Sequence, residues 1–149
     1  MDTREQFLFD LQGFLKIESF LEPGEVQALN DAFDANLDQR VEDPNHHAPG
    51  STYGPVRRGM FTDMLTWERP HCLPFRELLA HRKLIPYLDP LLGRGWKMDH
   101  SPFMLTGGKG TEGLRLHGST SHHFDDSQYY IYRNGQMRCG MIVCQFQLA

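Results

Sequence analysis

The chain has 149 residues, 40% apolar and 23% charged, an ordinary globular composition that argues against disorder. Its formal net charge is −4 and its basic residues are scattered, so it lacks the electrostatic footprint of a nucleic-acid binder. The length suits one domain, residues 1–149, and no run approaches the roughly 18 apolar residues of a membrane span.

The opening MDTREQFLF has neither the basic nor the apolar region of a secretory leader. Cys72, Cys139 and Cys144 contain no CxxC pair and leave an odd one over, which fits a reducing, cytoplasmic setting better than a disulfide framework. Cys139 and Cys144 fall on one expected strand, five apart and so on opposite faces; all three cysteines read as buried small apolar residues.

In chain order, Thr3 and Gln6 suggest a capping box for a helix over Arg4 to Leu11, ended by Gly13. Phe14 to Ile17 reads as a short strand. Val26, Leu29, Phe33 and Leu37 recur at helical spacing, so 23–38 should form an amphipathic helix with Glu25, Asp31 and Asp34 outward. From Gln39 to Gly59 three prolines, three glycines and no periodicity imply a loop of roughly twenty residues, a lid or binding loop. Within it, His46 and His47 are metal-ligand candidates and Arg57-Arg58 a clamp for a carboxylate or phosphate, against the plainer reading of solvated turns.

Phe61 to Trp67 is aromatic and should pack over the core. Pro74 to His81 reads as a helix, followed by a second around Leu84 to Leu92 interrupted by Pro86 and Pro90. After Gly93 and Gly95 the pattern turns to strands, Trp96 to Leu105 and Leu114 to His117, separated by a glycine-rich loop without the Lys-Ser/Thr of a P-loop. Strand alternation would put Met98, His100 and Met104 on one face, with His100 and Met104 as candidate pocket-lining, cofactor-binding residues. Tyr129 to Arg133, Asn134-Gly135 and Met137 to Leu148 form a hairpin on the favoured type I′ pair. Helices first and strands last argue an α+β domain on an antiparallel sheet.

The chemistry concentrates between the last strands. His117 ends a strand-like segment just before Gly118, and His123-Phe124-Asp125 follows six residues later. Two imidazoles and one carboxylate are the donors of a non-haem Fe(II) site. One residue between His123 and Asp125 puts both on the same side of an extended segment, which favours Asp125 over Asp126. The alternative is a solvated loop approaching the hairpin.

These residues carry a resemblance. GFLKIESFLEPGEVQAL within Phe7 to Phe33, the segment Trp96 to Leu105, Leu114-Arg-Leu-His117-Gly118, and Gly140 to Ala149 together resemble, in order, the N-terminal portion of the phytanoyl-CoA dioxygenase family. Those proteins are Fe(II)- and 2-oxoglutarate-dependent oxygenases. The resemblance implies N-terminal helices packed on an incomplete double-stranded β-helix (jelly-roll, cupin-like) core. It also implies Fe(II), 2-oxoglutarate as cosubstrate, and hydroxylation of a small organic substrate.

Two departures stand out. The family's His-x-Asp pattern, aligned on His117, meets Ser119 where the carboxylate belongs. Either Asp125 or Asp126 supplies it, or it is lacking, as in the related halogenases, where halide takes the position. The family's distal His and its 2-oxoglutarate-binding Arg would fall beyond Ala149.

With the apolar terminal strand left uncovered, this leads to the expectation of a C-terminally truncated domain, inactive as it stands and prone to self-association. The competing readings are a non-redox cupin-like module in which His117 and His123 bind Zn²⁺ or nothing, and a non-catalytic, dimerising fragment.

Overall fold

The computed structural model describes residues 1–42, 58–109, 111 and 128–148. It is mixed helix and antiparallel sheet, the α+β class that the element order implies. The chain divides into two compact units, the first from Met1–Gly24, Ala80–Lys97 and the described part of Ser119–Ala149, the second from the described parts of Glu25–Leu79 and Met98–Gly118.

In the first unit, helix α1 (Thr3–Gln12) is capped one residue earlier than Thr3 and Gln6 suggest. Asp2 accepts from the Glu5 N–H and Glu5 accepts from the Asp2 N–H, both at 2.7 Å. Both pairs have box spacing, but a carboxylate is a stronger acceptor than a hydroxyl and its charge suits the helix N-terminus. Gly13 ends the helix at φ 78°, a left-handed conformation that glycine adopts without strain.

The strand expected over Phe14 to Ile17 is absent. No backbone pairs with it among the described residues, and Phe14 is 60% exposed.

Helix α4 (Ile85–Leu92, counted after α2 and α3 of the second unit) runs straight through the prolines expected to interrupt it. Pro86 sits in the first turn, where no N–H is needed. Pro90 has no N–H to give the Pro86 carbonyl, and the Met1 nitrogen donates there instead, at 2.9 Å. The Pro90 carbonyl, near the helix end, accepts from Arg138 Nη1 at 3.0 Å. Donors remote in sequence thus serve both proline carbonyls.

Against α4 packs the hairpin of β4 (Tyr130–Arg133) and β5 (Gln136–Cys139). Its two-residue turn places Asn134 at φ 53° and Gly135 at φ 74°, as a type I′ turn requires. Leu91, Met137 and Cys139 form the buried cluster, flanked by Met1, Phe9, Leu92 and Ile142.

β5 stops at Cys139 rather than continuing to Leu148. Beyond it, Gly140 N–H still donates to the Tyr129 carbonyl at 2.9 Å, but no strand covers 140–148 among the described residues. Cys144 therefore lies outside the strand that Cys139 occupies, and it is exposed where Cys72 and Cys139 are buried.

In the second unit, α2 (Pro23–Asp34) buries Leu29, Ala32 and Phe33. It ends four residues short of expectation. Asn36 donates its side-chain N–H to the Ala32 carbonyl at 2.7 Å and a 3₁₀ turn follows at Leu37–Gln39, leaving Leu37 59% exposed. In the first turn Glu25, expected outward, is half-buried. β1 (Val41–Glu42), β2 (Gly59–Phe61) and β3 (Met104–Thr106) form an antiparallel sheet with β2 central. Both ends of the expected 39–59 loop are therefore strands; 43–57, with His46, His47 and Arg57, lie outside the described residues.

A side chain on Gly59 would collide with the Arg40 guanidinium, which crosses it to donate from Nε to Thr106 Oγ1 at 3.0 Å. Helix α3 (Leu73–Leu79) supplies Phe75. Phe33 is the hub of the unit's core, with ring centroids 5.0 Å from Phe61, 4.9 Å from Phe75 and 5.8 Å from Trp67. Phe61 to Trp67 therefore packs as its composition suggests.

β3 corrects the expected strand over Trp96 to Leu105. Pro102 cannot donate to a ladder, and β2 offers only three residues for pairing. Met98 and His100 lie outside the strand and are exposed, so strand alternation does not place them on one face with Met104.

Phe33→Ala should lower unfolding free energy by about 3–5 kcal/mol through the cavity left among three rings. Phe14→Ala, at an exposed site, should change it by no more than about 0.5 kcal/mol. Urea denaturation followed by tryptophan fluorescence checks both.

Candidate functional site

His117, His123 and Asp125, the expected metal ligands, lie outside the described residues, as do Ser119 and Asp126. What the structure does place are the flanks. In sequence, β3 precedes this stretch and β4 follows it. The turn after β3 is closed by Thr111, whose Oγ1 accepts from Gly108 N–H at 3.0 Å while its N–H donates to the Gly108 carbonyl.

Of the two pocket candidates, Met104 is half-buried in β3 opposite Phe61. His100 is exposed, its Nδ1 3.0 Å from Asp99 Oδ2.

Three of the eight histidines are described, and each has its Nδ1 occupied. His71 shows how firmly such a ring is set. Asn36 Nδ2 must be the donor nitrogen, because it points at the Ala32 carbonyl, which can only accept. The same nitrogen lies 2.9 Å from His71 Nδ1, which therefore accepts, and the neutral ring carries its proton on Nε2. His81 Nδ1 accepts from the Lys83 N–H at 3.3 Å and its ring packs on Phe20, with centroids 5.1 Å apart.

Among the described residues no three His, Cys, Asp or Glu side chains gather as a metal site needs. Burial pushes the Cys139 thiol up, which suits an inert packed residue rather than a ligand or nucleophile. Arg58, the described half of the Arg57-Arg58 pair, is buried immediately before β2.

Sequence reading missed a pair of tyrosine–carboxylate joints. Helix α1 buries no residue fully; instead Tyr87 of α4 donates its hydroxyl to Glu5 Oε1 at 3.0 Å, and Tyr130 of β4 donates to Asp10 Oδ1. Phe9 adds a ring contact to Tyr130 at 6.3 Å. The pairs span 82 and 120 residues, so no local spacing announces them. Desolvation, then the hydrogen bond and the negative charge of the partner carboxylate, raise both phenols above the ordinary tyrosine range.

No helix among the described residues is long and apolar enough to cross a membrane. Set against protein-family models, curated proteins and solved structures, the chain matches none.

The tyrosine joints have an alkaline signature. A raised folded-state pKa means that the folded chain holds the proton more tightly than the unfolded one. The resulting stabilisation is complete below about pH 10 and is lost as pH rises through the folded values. Phenolate absorbance during an alkaline titration should therefore show two of the five tyrosines ionising late. Glu5→Gln and Asp10→Asn should each return one of them toward the ordinary range.

Proposed function

We propose that this chain belongs to an Fe(II)- and 2-oxoglutarate-dependent dioxygenase-like protein that hydroxylates a small organic substrate. The observation that carries this reading is the ordered resemblance of four segments spread over nearly the whole chain, with His117 at the end of the third. The α+β class is compatible with it. In this reading the core is an incomplete double-stranded β-helix fronted by the N-terminal helices.

The donor set fits the metal in kind, since His117, His123 and Asp125 offer two imidazole nitrogens and a carboxylate. Fe(II), when bound, supplies the coupling of O₂ reduction to oxidation of 2-oxoglutarate and substrate. The chain's own part is to orient the imidazoles and keep the carboxylate ionised. Met104, half-buried in β3, would line the pocket.

The family that the chain resembles completes its site with a second His and a 2-oxoglutarate-binding Arg, and the four segments that carry the resemblance assign neither. The 80% exposure of Val143 supports self-association through the terminal stretch as part of the same proposal.

Succinate release from 2-oxoglutarate, O₂ and Fe(II) tests the reading. The protein carried on past residue 149 should turn over, and His117→Ala should abolish that turnover. Near-normal activity in His117→Ala would move the ligand role to His123. Tight Zn²⁺ binding without succinate release in the longer protein would replace the oxygenase with a cupin-like, non-redox binding module. Residues 1–149 alone should release no succinate.

A further inference from the structure

We propose that the outer face of the β4–β5 hairpin binds a small organic anion, a carboxylate or phosphate monoester with a short apolar or aromatic body. Ile131 stands opposite Arg138, and Arg133 opposite Gln136. Alternation therefore sets the Cβ atoms of these four residues on the face opposite Met137 and Cys139, while the Arg138 guanidinium reaches the Pro90 carbonyl of α4. Arg133 and Arg138 are diagonal neighbours, with Cβ atoms roughly 7 Å apart and their long side chains within reach of one another.

Like charges in neighbouring strands work against the hairpin unless a counter-charge lies between them. None is built in. The open depression here, about 540 Å³, is lined by Tyr129, Ile131, Arg133, Asn134, Gln136 and Arg138, with no carboxylate among them. The chain as a whole has 19 acidic residues against 15 basic, so this face is opposite in sign to the net charge.

The two guanidiniums differ in a way that suits a ligand. Arg138 is held in place: Nη1 donates to the Pro90 and Met137 carbonyls at 3.0 and 2.7 Å, and Nη2 to Gln136 Oε1 at 3.2 Å. Those bonds leave Nε–H and one Nη2 proton for an incoming oxygen. The Arg133 side chain makes no hydrogen bond or ion pair among the described residues and can swing to close on the anion. The fork of donors on each guanidinium matches carboxylate and phosphate oxygens, and Ile131 between the two gives the ligand's body an apolar floor. None of His117, His123 and Asp125 takes part, so the inference stands apart from the iron reading.

Equilibrium dialysis of metal-free chain against benzoate, phenyl phosphate and inorganic phosphate tests it, with sodium chloride holding ionic strength constant. Saturable binding of benzoate or phenyl phosphate is expected, and the better of the two identifies the headgroup. Arg133→Gln should weaken it about tenfold and Arg133→Lys should restore part of the loss. Circular dichroism should confirm that the variants fold, as exposure of Arg133 implies. Binding that never saturates, or that is unchanged in folded Arg133→Gln, overturns the proposal. Equal affinity for phenyl phosphate and inorganic phosphate overturns the organic body.

Discussion

Extended backbone becomes a strand only where another backbone lies beside it to take its N–H and C=O groups, and here those neighbours are short. β2 has three residues, which limits β3 to Met104–Thr106. β4 has four, which limits β5 to Gln136–Cys139. Outside these ladders, stretches such as 98–103 and 140–148 form no strand, and their backbone polar groups need partners other than a ladder. Cohesion then falls to side chains. The second unit answers with four aromatic rings centred on Phe33, the first with a smaller cluster around Leu91, Met137 and Cys139.

Because the core of the first unit is small, polar joints carry much of its organisation. The two prolines of α4 expose carbonyls that a regular helix would have served internally, and Met1 and Arg138 reach them from opposite parts of the sequence. Tyr87 and Tyr130 tie α1 down through Glu5 and Asp10. One of these joints also bears on binding. The bond that satisfies the Pro90 carbonyl immobilises Arg138, and an immobilised guanidinium loses less freedom when an anion arrives. A packing requirement and a recognition element thus meet in one side chain.

The candidate iron site rests on residue type and spacing alone, His117, then His123 and Asp125, which lie outside the described residues. The described histidines could not be read in that way. His71 and Asn36 are 35 residues apart, and only the fold brings the ring to the amide that sets its tautomer. The shared face assigned to Met98, His100 and Met104 presumed a strand across all three, and the short partner strand removed that premise.

What the sequence determined by itself is local: the Asn134-Gly135 turn and hence the register of β4 on β5, the Gly13 helix stop, the apolar face of α2 through Phe33, and the α+β class. These depend on backbone torsions and on neighbours within about one helical turn, so adjacent residues suffice to specify them. Tertiary structure alone decided where strands end, how a helix runs through Pro90, which of Cys139 and Cys144 is buried, and what holds Arg138. Each of those depends on a hydrogen-bond partner or covering side chain supplied from a distant part of the chain, and no spacing within the element itself encodes it.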